Sequence, residues 1–366
     1  MKPKALYFYQ YLPPWRIDVF NEMTKYYELT IVFFNAECEG FTYNRQDLLA
    51  KLHNIETIFL NNGFSFGNRP IRFGIFSLLK KYKPDVVFVH EYSFISIMLA
   101  LYKRLNLIKY NLYITTSDNV KMAESSTGFK AKSRDYVLKQ ANGAIVYSKK
   151  VKDWYKKHYP TLKLEICPNI QNPESLLSYT NMFPDIIDEY KHKYSLKDTP
   201  ILLYTGRLVD VKGIDLLLSA FAKSNYSNYK LVIVGDGRNK EELQQQAKSL
   251  NMQNRVIFAG FYSGISLYAW YALADFFVLP SRYEPFGAVI NEALVYGCPV
   301  VASKYIGALD FINETNGIIF DPLNETEFVN VLNKAMEKYK NPPKNKKNLM
   351  TYPFQNAVNS FYQINL

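Results

Sequence analysis

Short apolar runs alternate with longer segments whose apolar residues recur at helical spacing, from one end of the chain to the other. In the first half, Lys4–Gln10, Glu28–Phe34, Ile55–Leu60, Val86–His90, Asn111–Thr116 and Gly143–Tyr147 have the length and the β-branched or aromatic content of buried strands. Between them, Ile17–Tyr26, Ile71–Tyr82, Phe94–Asn106, Lys130–Gln140 and Lys149–His158 read as helices. The second half repeats the pattern. Strands are expected at Ile201–Thr205, Leu231–Val234, Val256–Phe258, Phe276–Leu279 and Val300–Ala302, and helices at Ile214–Phe221, Ala288–Tyr296, Glu325–Tyr339 and Tyr352–Tyr362. Such alternation builds right-handed βαβ units, so the expected class is α/β with parallel sheets. The polar, turn-rich stretch from Asn169 through Pro173 reads as a junction, with the second core beginning near Pro184. The expected division is 1–172, 173–350 and a closing segment 351–366.

Composition narrows the class without changing it. With 366 residues, 48% hydrophobic and 21% charged, the chain can bury two cores and is not a disordered polymer. Its longest apolar candidate, Ile95–Tyr102, falls far short of the roughly 18–20 residues of a membrane span. The N-terminus has no small-residue cleavage site after its brief apolar stretch, so no secretory leader is expected. Cys38, Cys167 and Cys298 are isolated, which suits a reducing cytoplasm and argues against a cysteine metal site. Charge is uneven. Residues 1–175 carry 25 Lys and Arg against 15 Asp and Glu, whereas residues 176–366 carry 19 against 18. A basic half suits an anionic partner, and the helix Lys149–His158, with five lysines around Trp154 and Tyr155, suits an anionic membrane face. A solvated helix surface explains it equally well. The basic residues are scattered and no nucleic-acid module is legible.

The densest chemistry lies in Pro280–Pro299, where a loop carrying Glu284, Pro285, Phe286 and Gly287 joins a strand to a helix carrying Glu292. Open α/β sheets bind ligands at this end of their strands. Gly287 lets a ligand approach the backbone, and helical side chains lean back toward the N-terminus, so Glu292 can share a cleft with Glu284. Two carboxylates there repel unless cations or hydroxyl donors sit beside them, conditions that a polyol bearing a phosphate meets. An ordinary surface helix with one exposed Glu is the alternative. Upstream, Gly206-Arg207 ends a strand and Lys212-Gly213 precedes a helix. A planar guanidinium and a mobile ammonium there match the needs of a diphosphate.

Together, the G-R-x4-K-G loop and the Glu-x7-Glu segment enclosing Phe-Gly resemble the donor site of the family-4 retaining glycosyltransferases of the GT-B fold. The resemblance covers most of the chain and is densest over Ile201–Pro322. It implies two Rossmann-like domains facing a central cleft, with a C-terminal helix crossing back to the first. The implied reaction moves a sugar, with retention, from a nucleotide-diphosphate sugar to a glycan or lipid-linked saccharide acceptor, in cell-surface polysaccharide synthesis. Arg207, Lys212 and Glu284 would be catalytic, the two cations meeting charge on the diphosphate and Glu284 holding donor-sugar hydroxyls. Glu292 would hold the ribose. Gly206, Gly235, Gly237, Phe261, Phe286, Gly287 and Ala288 would line the rest of the donor site.

On the acceptor side the candidates are Arg16, His90, Ser117 and Asp118. Arg16 is either an acceptor or phosphate contact or a solvent-facing residue at a helix start. His90 is either a cleft residue or a satisfied structural one. The chain departs from the resemblance in two places. Pro13-Pro14 stands where relatives carry Gly-Gly, and Ser117 or Asp118 would replace a histidine expected near the donor sugar. No metal and no cofactor beyond the nucleotide sugar is implied, and the protein would work in the cytoplasm, peripheral on the inner face of the plasma membrane. A non-catalytic partner of the same fold and a nucleotide-sugar epimerase are the alternatives. The first would more readily have lost one of the four charged residues, and the scarcity of histidines weighs against the second.

Overall fold

The computed structural model describes residues 1–35, 44–66, 69–340 and 346–366. Cys38 and most of the Lys/Asn/Pro-rich stretch expected at Lys340–Lys347 lie outside the described residues. The chain forms two units, one comprising Met1–Gln171 with Phe354–Leu366 and the other Asn172–Pro353. Both are α/β and Rossmann-like.

In the first unit, β1 (Lys4–Tyr9), β2 (Glu28–Phe33) and β3 (Glu56–Phe59) step outward in one direction. The hairpin β4 (Gly63–Phe66) and β5 (Arg69–Arg72) follows. Then β6 (Val86–His90), β7 (Asn111–Thr115), β8 (Gly143–Val146) and β9 (Lys163–Ile166) step outward in the other direction. The parallel sheet has the order β3-β2-β1-β6-β7-β8-β9, so its direction of growth reverses between β1 and β6. Tyr7 stands in register with Ile31 and Phe88. Strands covered on both faces need apolar residues in succession rather than in alternation, and Leu6, Tyr7, Phe8, Val87, Phe88 and Val89 are all buried.

Between β3 and β6 the chain differs from its pattern. Ile71 and Arg72, expected at the start of a helix, pair antiparallel with Gly63 and Phe64, and the helix spans Ile75–Tyr82. Periodicity cannot register a cross-strand partner. Here pairing and the Arg72 guanidinium, whose Nε donates to the Phe34 carbonyl at 2.8 Å, hold residues 71 and 72 extended. The closing helix Phe354–Gln363 completes this unit. Tyr27 donates to the Phe361 carbonyl at 2.7 Å, Tyr113 donates to Asn365 at 3.0 Å, and the buried Phe361 ring meets Phe88 edge-on.

The second unit holds β10 (Ile201–Thr205), β11 (Lys230–Val234), β12 (Val256–Gly260), β13 (Phe276–Leu279), β14 (Val300–Ser303) and β15 (Gly317–Phe320). Its parallel sheet has the order β12-β11-β10-β13-β14-β15, with the reversal between β10 and β13. The stretch read as a junction spans the boundary between the units, and its last two residues, Asn172 and Pro173, begin this one. Asn172 accepts from the Glu174 amide at 3.1 Å and caps a helix, Pro173–Leu177, which Pro173 opens. A second helix, Phe183–Lys193, precedes β10. Among the described residues, no helix is long and apolar enough to cross a membrane.

Candidate functional site

The loops leaving the C-terminal ends of the second sheet's strands are joined backbone to backbone. Gly206 donates to Val234 at 3.0 Å, Leu208 to Asp236 at 2.9 Å, Gly235 to Gly260 at 2.8 Å, and Arg282 to Val211 at 2.9 Å. Two glycines permit this. Gly213 has φ +67, and a Cβ on it would lie 2.3 Å from the Pro280 carbonyl oxygen. Gly235 has φ +146, and its Cβ would lie 1.9 Å from the Gly206 carbonyl oxygen. Any side chain at either position would push the loops apart. The loops after β10, β11 and β13 therefore converge where the strand order reverses, the place where open α/β sheets take ligands.

On this frame the structure brings Lys212 and Glu284 together as an ion pair. Their side chains are only 15% and 14% exposed, so solvent screens the pair little. Arg207 is exposed on the same loop as Lys212, and its carbonyl accepts from Tyr204 at 3.1 Å. Glu284 is fixed from its backbone, which donates to the Tyr305 carbonyl at 3.2 Å. Glu292, half-buried on the helix Val289–Val295, accepts a 3.1 Å hydrogen bond from Tyr271. Each carboxylate thus has its own partner, which removes much of the repulsion that two bare carboxylates would suffer. Gly237 follows Asp236, whose carboxylate accepts from the Gly237 amide at 2.8 Å.

Phe261, beyond β12, is 74% exposed and offers a ring face to a ligand. Phe286 does not. Its ring is buried against Phe311 at 5.6 Å, and its carbonyl accepts from Ala308 at 2.8 Å. Gly287 and Ala288 stand at the start of the helix. Among the described residues, no group of three or more His, Cys, Asp and Glu is arranged to hold a metal ion.

Sequence reasoning missed the residues that hold these in place. Arg282 donates to both Asp215 carboxylate oxygens at 2.6 Å and to the Asp210 carbonyl at 2.8 Å, locking the Glu284 loop to the Lys212 loop. A planar bidentate pair gives such a lock geometric precision. The signal was present as an Arg two residues before Glu284 and an Asp three after Lys212, but only the fold pairs them. Tyr271 was missed as well: it lies on the helix Gly264–Leu273, where the sequence reading placed no element.

The first unit's candidates are turned inward. Arg16 is fully buried rather than solvent-facing, donating to the Pro168 carbonyl at 3.1 Å and approaching Cys167 Sγ at 3.6 Å. Among the described residues, its Nε and Nη2 groups are buried without a hydrogen-bond partner. His90 stacks on Tyr9 at 4.2 Å and shares a 3.0 Å hydrogen bond with Thr115. Burial, helped by the Arg16 charge, pulls its pKa down to about 3, so it is neutral and makes no ion pair with nearby Glu91. Asp118 is buried, accepts from Tyr155 at 2.8 Å and lies 3.7 Å from Arg134. Ser117 donates to Glu91 through both its amide and its hydroxyl, each at 2.6 Å. Glu91 itself went unnoticed in the sequence, and its φ of +65 is a strained backbone for a side chain of that kind. On the helix Lys149–His158, Tyr155 is buried, while the Trp154 ring stacks on His158 and lies under the Arg134 guanidinium; Lys149, Lys150, Lys156 and Lys157 are exposed, and the half-buried Lys152 pairs with Glu165 at 3.6 Å.

Residues 186–350 match the family model described as glycosyl transferases group 1. An uncharacterized glycosyltransferase of Methanocaldococcus jannaschii is 36% identical over 178 residues, covering 45% of this chain and 46% of that protein. The lipopolysaccharide 1,2-N-acetylglucosaminetransferase of Salmonella typhimurium is 31% identical over 205 residues, 52% of each chain. The chain thus spans about half the length of these curated relatives. Among solved structures, Anabaena HepE in complex with UDP superposes with a TM-score of 0.71 at 20% identity, covering 99% of this chain and 94% of that one.

Proposed function

Residues 186–350 form a group 1 glycosyltransferase domain within a GT-B fold, and from that premise we propose that the protein is a retaining glycosyltransferase using a nucleotide-diphosphate sugar. The observation that carries the reading is the Lys212–Glu284 ion pair, set where the loops after β10 and β13 converge at the strand reversal. An arriving diphosphate competes with Glu284 for Lys212. Once Lys212 turns to the phosphates, Glu284 is left to accept hydrogen bonds from the donor-sugar hydroxyls. As the sugar–phosphate bond breaks, negative charge grows on the leaving diphosphate, and Lys212 with the exposed Arg207 meets it electrostatically. Glu292 accepts from the ribose, and Phe261 offers its exposed ring to the base.

The first unit takes the acceptor, a glycan or lipid-linked saccharide of cell-surface polysaccharide synthesis, and its positive charge favours docking on an anionic membrane face. HepE is seen with UDP and with UDP-glucose, which makes UDP-sugars the first donors to try. A thermal-shift screen of UDP-, GDP- and ADP-sugars, followed by nucleotide-release assays on the hits, tests the reading. A ligand that binds only the folded state raises the midpoint, so the true donor stands out. A donor that binds without any nucleotide release, across a panel of saccharide acceptors, would favour the non-catalytic alternative. Absence of any shift would remove the nucleotide-sugar reading altogether.

A further inference from the structure

Glu292 is held from behind. Thr205 is the last residue of β10, Tyr271 lies on the helix Gly264–Leu273, and Glu292 lies on the helix Val289–Val295. The Tyr271 hydroxyl stands 2.7 Å from Thr205 Oγ1 and 3.1 Å from Glu292 Oε2, and the whole tyrosine is buried. A phenol has one proton to give. With a carboxylate on one side and a hydroxyl on the other, it gives that proton to the carboxylate, and Thr205 donates to the phenol oxygen. The chain of hydrogen bonds therefore has one direction, from strand end to Tyr271 to Glu292. Burial, followed by the Glu292 charge, raises the Tyr271 pKa well above its ordinary value, so the donor proton stays in place at physiological pH. A carboxylate has about four lone-pair directions, so the Tyr271 hydrogen bond occupies one of them and restrains its rotamer without using up its accepting capacity.

We propose that Tyr271, oriented by Thr205, is a positioning residue that sets the Glu292 carboxylate for ribose recognition. This rests on the reading of Glu292 as the ribose contact. Tyr271 never touches the nucleotide. It lets the position of β10, which also carries the Arg207–Lys212 loop, determine where the ribose acceptor lies relative to the diphosphate. A pre-set rotamer means that less side-chain entropy is lost when the ligand binds.

The test compares ribose with its deoxygenated form. Calorimetry would measure whichever of UDP, GDP and ADP binds the wild type most tightly, together with its 2′,3′-dideoxy counterpart. The proteins would be wild type, Tyr271→Phe, Thr205→Val, Glu292→Gln and the Tyr271→Phe/Glu292→Gln double variant. A hydrogen bond to a charged group predicts a wild-type preference for ribose of roughly tenfold or more. Tyr271→Phe and Glu292→Gln should each reduce that preference to within about threefold, and the double variant should lose little more, since coupled residues are not additive. Thr205→Val should give an intermediate loss and decides the matter if Tyr271→Phe does not fold. A Tyr271→Phe or Thr205→Val protein with a lowered melting midpoint but the full ribose preference would overturn the proposal. A wild type that binds a nucleotide but shows no ribose preference would instead overturn the assignment of Glu292, and one that binds none would overturn the functional reading, with the proposal falling in either case.

Discussion

The two sheets share a design, with strands growing outward in both directions from a central reversal, yet their C-terminal edges are built differently. In the second unit the polar groups at that edge are partly open and matched with partners that a ligand can replace. Lys212 holds Glu284, Arg207 is exposed, and Arg282 fastens the two loops from the side. In the first unit the polar groups at the same edge face the interior. Arg16, His90 and Asp118 are all buried, and Ser117 is engaged by Glu91. A buried charge is held by the cost of leaving its partner unpaired, whereas a partly exposed pair is poised for exchange. The same architecture thus yields a scaffold edge in one unit and an exchangeable edge in the other.

The largest effect should come from breaking the scaffold edge. Asp118→Ala leaves Arg134 buried without its carboxylate and should destabilise the first unit by about 3–5 kcal/mol, seen as a lowered urea midpoint. A variant of normal stability with abolished transfer would instead make Asp118 part of the reaction. Lys212→Ala should do the reverse in the second unit, sparing the fold while raising the barrier to transfer by about 2–4 kcal/mol. Turnover near wild type at saturating donor would remove Lys212 from the chemistry.

Next in size is the division between the two glutamates. Glu292→Gln should weaken binding of the free nucleoside diphosphate by roughly 1.5–3 kcal/mol. Glu284→Gln should spare that ligand, because Lys212 then has no internal competitor, and should weaken only the nucleotide sugar. Equal losses for both ligands in both variants, measured by calorimetry, would erase the division.

A smaller effect should come from pH. His90 has a folded pKa of about 3 against an ordinary 6.5, so below 6.5 the unfolded chain binds a proton that the folded chain refuses. Its contribution is therefore present above 6.5 and is lost as pH falls toward the folded value. Urea midpoints at two pH values, one on each side of 6.5, should differ more for wild type than for His90→Gln. An identical pH dependence in both proteins would mean that His90 is not held neutral. The smallest effect concerns the uneven charge, since each Lys or Arg near an anionic surface contributes only roughly 1 kcal/mol. Sedimentation with anionic vesicles at low salt should pull down the protein, and neutral vesicles or added salt should release it. No sedimentation at low salt would point to a soluble acceptor.

Much of this was written in local patterns, because the forces that write them are local. Apolar runs marked β1, β6, β10 and β13 to within a residue, since a strand covered on both faces needs successive apolar side chains. Gly213 was legible as a glycine before a helix and Gly235 as a glycine of the implied donor site, and their φ of +67 and +146 are backbones that favour glycine. The two-glutamate segment and the Arg207–Lys212 loop were legible as charge in a place where strands end. What the chain could not display is which side of a loop each polar group takes. Arg16, His90 and Asp118 look like site residues until the packing of Tyr9, Tyr147, Tyr155 and Arg134 around them is known. Phe286 reads as a ligand contact until Phe311 covers it. The hairpin at Gly63–Arg72 follows from pairing rather than periodicity. The Arg282–Asp215 lock and the Thr205–Tyr271–Glu292 chain join residues 67, 66 and 21 positions apart. A sequence records each residue's own preference for helix, strand, turn or interior. Burial and pairing are decided by neighbours that only the folded chain brings within a few ångströms.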